Sequence, residues 1–464
     1  MNNKLNCFST HLEKIFGVDY IKADADSKKI YGQDFTQQFT PNPLAIVFPK
    51  NEAQIVELVK WANETKTSLV PSGGRTGYSG GAVAKNQEIV VSFEKMNRIF
   101  DFNLLDKTVK CDAGVITKNL QNFALENNLF YPVDFASSGS SQMGGNVATN
   151  AGGIKVIRYG LTRSWVVGLR VITGNGNVLE LNKGLVKNAS GYDLRHLFIG
   201  SEGTLGFITE VTVKLIDMPV PTKVLLFSIQ NKNHFIEILN KFDADVKITA
   251  FEFFSQLALE QVLESCTLEH PFSEQSEFYI LLEYESDLIS DEAVLNISEQ
   301  FINAEIISDA LLSENIQQAK NLWRFREEIS MSLRKHHPYK YDISVTPSRI
   351  SDFMKDADEL FQLYCPNFLI VWFGHLGDGN LHLNILCPKG AEPDDFFKSC
   401  ENLSNHVYKL IQNYGGSIAA EHGVGLLKKE FLKFSKSEAE VQYMREIKNI
   451  FDKNGIMNPG KIYD

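Results

Sequence analysis

SSGSSQMGGNVATNAGG, residues 137–153, holds almost no large side chain, yet it lies between apolar stretches rather than at a terminus. A linker seldom sets Asn146, Thr149 and Asn150 among its glycines, whereas a backbone lying against a ring system needs small residues with a few amide and hydroxyl groups. Two more segments share this character. PSGGRTGYSGG (71–81) follows the strand-like SLV, and its paired glycines let backbone N–H groups converge as a pyrophosphate requires. NASGYDLRHLFIGSEGTLGFITE (188–210) sets Gly200, Gly203 and Gly206 beside Ser201, Glu202 and Thr204 just before a strand. Together the three predict one extended ligand. Neither G-x-x-x-x-G-K-[ST] nor a G-x-G-x-x-G between strand and helix occurs, which argues against a P-loop or a Rossmann site.

Outward from these segments the chain reads as α+β. LAIVFP, then Ile55, Leu58, Val59 and Ala62 at helical spacing behind Asn51 as cap, then SLVP predict a βαβ unit over 44–70. EIVVSF and TVKCDA add strands, and Leu120, Phe123, Ala124 and Leu125 a second amphipathic helix. VVGLRVITGNGNVLEL predicts two strands about a Gly-Asn-Gly turn, extended by FITEVTVKL. Pro219 and Pro221 in DMPVPT then stop regular pairing. Beyond them VLLFSI, FYILLEY, FLIVWF and LHLNIL alternate with helical patterns, predicting an antiparallel sheet covered on one side by helices. The expected division is a first domain over 1–217, a second over 218–422, and a helical segment over 423–464 whose NPGKIYD tail returns to the first domain.

Composition narrows the class. The 464 residues suit two or three domains at roughly 150 residues each. Hydrophobic residues at 44% and charged residues at 22% are the balance of a globular protein, and a net charge of −11 repels phosphate backbones, so nucleic acid is excluded as a partner. No run approaches the roughly 18 apolar residues of a bilayer span. MNNKLNCFSTHLEKIF places His11, Glu13 and Lys14 where a secretion signal needs apolar residues, so a cytoplasmic start is expected. The six cysteines (7, 111, 266, 365, 387 and 400) form no C-x-x-C and are expected as reduced, mostly buried thiols.

FLIVWFGHLGDGNLHLNIL (368–386) predicts a hairpin. With Asp378-Gly379 as a two-residue turn, His375 and His382 oppose each other, their Cβ atoms about 4.5–5.5 Å apart, near enough to hold one ion. Alternation puts Asn384 on the face of His382. SIAAEHGVG (417–425) offers Glu421 beside His422; in extended chain they point opposite ways, so one can face an ion while the other serves as a base.

PSGGRTGYSGG, GGNVATNAGG followed by RYG, and GYDLRHLFIGSEGTLGFIT resemble the FAD-binding signatures of the FAD-linked oxidases of the vanillyl-alcohol oxidase fold, and most closely its 2-hydroxyacid dehydrogenases. The resemblance spans roughly residues 40–464. It implies a two-part FAD domain with Gly73, Gly74, Thr76 and Gly77 near the pyrophosphate and Gly144, Gly145, Asn146, Thr149 and Asn150 along the flavin. By the same likeness Pro71, Arg75, Ser138, Gly139, Ser140, Gly152, Glu202, Gly203, Gly206, Ile208 and Asn458 complete the cofactor contacts. The FAD is expected to be non-covalent, because neither 71–81 nor 137–153 contains His or Cys.

The resemblance also assigns His375, His382 and Glu421 as ligands of one divalent metal, zinc before manganese, cobalt or iron, and His422 as the catalytic base. It places Arg326 (in WRFREEIS) and Lys340 (in YKYDISV) at the substrate's carboxylates, with Ser330 and Asn384 in the same pocket. The implied activity is oxidation of a (R)-2-hydroxy acid, D-2-hydroxyglutarate first and D-lactate, glycolate or D-malate as alternatives. The implied electron acceptor is an electron-transferring flavoprotein or a quinone, and the assembly a homodimer. A zinc hydrolase and a non-catalytic FAD-binding subunit are the competing classes.

Overall fold

A computed structural model describes residues 10–287 and 289–463. The expectations that rest on residues 1–9, namely Cys7 and the first part of the N-terminal reading, lie outside them. The chain divides into one unit of Met1–Gly152, Leu161–Met218 and Glu421–Asp464 and a second of Gly153–Gly160 and Pro219–Ala420. The short piece 153–160, which the sequence reading leaves in the first domain, clusters with the second.

In the first unit, strands β1 (Ile21–Lys22), β2 (Ala45–Val47), β3 (Leu69–Ser72) and β4 (Ile89–Ser92) form a sheet of order β1-β2-β4-β3. The helix Glu52–Thr65 joins β2 to β3, with the Asn51 carboxamide capping Gln54 N at 3.1 Å. Its buried residues Ile55, Leu58, Val59 and Ala62 pack on Val47, Leu69, Ile89 and Val91. Both β2 and β3 pair parallel to β4, so the crossover passes over the central strand.

A second, antiparallel sheet contains β5 (Ile99–Asn103), β6 (Thr108–Asp112), β8 (Val166–Thr173), β9 (Val178–Leu181) and β10 (Gly206–Lys214), in order β5-β6-β10-β8-β9. The strands β7 (Leu129–Phe130) and β11 (Ile216–Asp217) pair separately. After the helix Glu438–Phe451 the C-terminal tail lies along β3, with Leu69 N donating to Ile456 O and Asn458 N to Leu69 O, both at 2.8 Å.

The second unit is built on one antiparallel sheet of seven strands. These are β12 (Thr222–Ile229), β13 (Ile248–Ser255), β14 (Phe278–Glu285), β15 (Asp309–Leu312), β16 (Tyr339–Ser344), β17 (Leu369–His375) and β18 (Asn380–Leu386), in order β15-β12-β14-β13-β17-β18-β16. Helices cover both faces, not one. Ala258, Leu259, Leu322 and Ile329 pack on Leu226, Phe254, Leu281 and Phe373 on one side. On the other, Phe242 meets Phe227, Phe235 meets Phe253, and Tyr408 meets Tyr341 at ring separations of 5.4, 5.2 and 5.5 Å. Two buried faces explain why the strands read as continuous apolar runs without alternation.

Among the described residues no helix is long and apolar enough to cross a membrane, and Cys111, Cys266, Cys365, Cys387 and Cys400 are free thiols.

Candidate active site

The three glycine segments, far apart in the chain, come together in the first unit. A Cβ on Gly74 would stand 2.2 Å from Ser140 O, and one on Gly203 2.4 Å from Pro71 Cγ, so Gly74 is required by backbone approach and Gly203 by the proline ring and its φ of +72°. Gly73 lies against Gln142 and Gly145, while Gly139 and Gly145 open onto empty space. Around this cradle Ser72 Oγ, Gln142 Oε1 and Asn458 Oδ1 are buried without a hydrogen-bond partner. Buried polar atoms left unpaired beside exposed glycines fit a polar ligand, as FAD is.

Several residues expected at the cofactor are engaged within the unit. The Asn146 carboxamide donates to Thr117 Oγ1 at 2.6 Å, Asn150 Oδ1 accepts from Arg163 N at 3.0 Å, and Arg75 pairs with Glu94 at 3.2 Å. Glu202 is buried, with its carboxylate accepting from Val424 N and Gly425 N at 2.7 and 2.8 Å. Burial pushes its pKa up, and the two amides pull it back. Its evident work is to fix the loop that follows Glu421 and His422. The His422 ring lies tilted against Tyr78, from the first glycine segment, at a centroid separation of 4.8 Å.

The histidine hairpin in the second unit differs in register from the expectation. His375 pairs with Asn380 and Phe373 with His382, so the connection is the four residues 376–379 and the Asp378-Gly379 two-residue turn is not formed. Asp378 N and Gly379 N both point at His375 O, at 3.3 and 3.1 Å, and Leu376 is fully buried, which draws it into the loop. A shift of two residues preserves the face of every side chain. His375 and His382 therefore still converge, diagonally, with Nε2 atoms 3.4 Å apart. Two nitrogens at about 2.0–2.1 Å from one tetrahedral ion lie about 3.3–3.4 Å from each other, so the pair fits a shared ion.

The same sheet face carries more polar groups. Asp342 opposes His382, and Lys340 opposes Asn384, across β16 and β18. Asp342 Oδ1 lies 3.8 Å from His382 Nδ1, and its Oδ2 accepts from Ala420 N at 3.1 Å, tying down the chain just before Glu421. Burial lowers the Lys340 pKa, and Arg334 adds to the shift. Arg326, from the helix Ile316–Glu327, lies over the Phe373 ring at 5.0 Å. Its guanidinium pairs with Glu252 at 2.9 Å, while its buried Nε has no partner. Ser330 is half-buried one helical turn further on.

Sequence reasoning missed Glu252 and Asp342. Each is the lone carboxylate of its strand, ITAFEFFS and YKYDIS, and a carboxylate inside a strand is the signal that could have found them.

Residues 43–182 match the FAD binding domain family and residues 218–462 the C-terminal domain of FAD linked oxidases. The chain belongs to the FAD-linked oxidases. It is thus an FAD-dependent oxidoreductase. D-2-hydroxyglutarate dehydrogenase of Stutzerimonas stutzeri is 50% identical over 96% of this chain and 96% of its own. The mitochondrial D-2-hydroxyglutarate dehydrogenase of Arabidopsis thaliana is 34% identical over 98% of this chain and 81% of its own. Among solved structures, p-cresol methylhydroxylase superposes with a TM-score of 0.79 over 100% of this chain and 97% of its own at 15% identity, a likeness of fold.

Proposed function

We propose that this chain oxidises the 2-hydroxyl of a (R)-2-hydroxy dicarboxylate, D-2-hydroxyglutarate foremost, with non-covalent FAD, a divalent ion held by His375, His382 and Glu421, and His422 as base. The observation that carries the substrate is one sheet face bearing the histidine pair together with two separate cationic groups. Lys340 stands opposite Asn384 on β16, and Arg326 reaches over Phe373 with a buried, unpaired Nε. Two cations suit two carboxylates, which favours a dicarboxylate over D-lactate. The relatives named for D-2-hydroxyglutarate support the same choice.

Bound FAD supplies the two-electron acceptor for the C2 hydride, and a bound zinc ion supplies Lewis acidity toward the 2-hydroxyl. The protein's part is binding, orientation and proton transfer. Arg326 Nε and Lys340 Nζ hold the carboxylates, Ser330 and Asn384 offer hydrogen bonds beside them, and an imidazole nitrogen of His422 takes the hydroxyl proton. Reoxidation by an electron-transferring flavoprotein or a quinone, a homodimeric assembly and a cytoplasmic setting belong to the same reading.

Anaerobic mixing with a panel of D- and L-2-hydroxy acids tests it. D-2-hydroxyglutarate is expected to bleach the flavin fastest, and L-2-hydroxyglutarate to leave it yellow. Absence of bleaching by every D-acid sinks the proposal, and faster bleaching by D-lactate transfers it to the monocarboxylate.

A pH dependence follows from Lys340. A lysine whose pKa is lowered loses its charge earlier as pH rises, so affinity for the dianion falls on the alkaline side, below the ordinary lysine value of 10.5. KM for D-2-hydroxyglutarate is therefore expected to climb through the alkaline range. Lys340→Arg, which stays charged, should flatten that climb; an identical rise in both proteins would remove Lys340 from carboxylate binding.

A further inference from the structure

Glu252 is 1% exposed and stands directly opposite His375 in the pairing of β13 with β17. One carboxylate oxygen lies 2.8 Å from His375 Nδ1, and the other 2.9 Å from the Arg326 guanidinium. A carboxylate only accepts, so His375 donates its Nδ1–H, and its Nε2 keeps a lone pair facing His382 Nε2. Arg326 in turn holds the carboxylate in place and offsets the cost of burying its charge. One side chain thus touches both a proposed metal ligand and a proposed carboxylate binder.

We propose that Glu252 is a positioning residue that fixes the tautomer and orientation of His375 for the metal and ties that ligand to the substrate-binding Arg326. The inference rests on the metal reading above. An outer carboxylate on a ligating imidazole raises its basicity, and losing one typically costs 10–100-fold in metal affinity.

The test is zinc affinity of FAD-loaded, metal-stripped protein, read by competition with a chelating dye, alongside flavin content and KM for D-2-hydroxyglutarate. Glu252→Gln is expected to bind zinc tenfold or more weaker and to raise KM, with flavin content unchanged; any smaller zinc effect overturns the proposal. Should Glu252→Gln fail to retain flavin, Glu252→Asp keeps the charge beside Arg326 but withdraws the oxygen from His375. A tenfold weaker zinc affinity in that variant supports the proposal, and either wild-type affinity or loss of flavin from it as well overturns it. Wild-type protein that takes up no zinc would instead sink the metal reading itself, which separates the two failures.

Discussion

His422→Ala is expected to lower kcat by about 10²–10⁴-fold, the usual contribution of a positioned general base, while KM for D-2-hydroxyglutarate stays within a few-fold of wild type. The split follows from where the imidazole is held. Its loop is fastened by Glu202 through Val424 N and Gly425 N, and Gly425 packs against Ser79, so truncating the ring leaves the backbone in place. Tyr78 loses a tilted ring contact but keeps its edge contact with Phe35 at 5.0 Å. The proposed flavin cradle, made from glycine approaches and the orphaned Ser72, Gln142 and Asn458 atoms, does not use the imidazole, so the variant should purify yellow. Added imidazole should restore part of the turnover by entering the vacated space. Turnover within tenfold of wild type would end the assignment of His422 as base.

The proposed flavin site is written locally in the sequence, and the proposed metal site only in part. A glycine whose added Cβ would stand 2.2 Å from a carbonyl, as one on Gly74 would from Ser140 O, has no substitute, so the three small-residue segments stand out before any fold is known. The hairpin was legible in its parity but not in its register. A two-residue slip leaves His375 and His382 on one face, while the turn that sets the slip depends on distant partners. Gly379 lies against Val345 O, and Gly377 against Ile157, whose segment is held to β14 by Lys155 on Glu283 and Arg158 on Glu285. No local pattern announces contacts across more than 200 residues, nor the clustering of 153–160 with the second unit. The pairing of His375 with Glu252, 123 residues apart, was hidden for the same reason, and with it the second partner of Arg326. Apolar periodicity found most strands but could not tell a sheet covered on both sides from one covered on one, because a strand of length eight with every residue buried, as in β13, carries no alternation.

His382→Ala should cost the protein its metal and, with it, its activity, while sparing the flavin. Structural zinc sites of four ligands bind with about 10–16 kcal/mol, an average of about 2.5–4 kcal/mol for each, so one lost ligand weakens binding by about 10²–10³-fold. The sheet tolerates the change: Leu381 and Leu383, on the opposite face of β18, keep their fully buried packing, and the space vacated lies beside the Phe373 ring, 5.0 Å away. Dialysed variant should therefore contain little zinc, reduce its flavin slowly or not at all with D-2-hydroxyglutarate, and recover in part when zinc is supplied in excess. Treatment of wild-type protein with a chelator should reproduce the loss without releasing FAD, since the proposed cradle is made from the glycine segments and uses none of the three proposed metal ligands. Retention of stoichiometric zinc and wild-type turnover by His382→Ala would show that the 3.4 Å approach of the two Nε2 atoms is a hydrogen bond between core histidines, and the dehydrogenation would then have to proceed on His422 and the two cations alone.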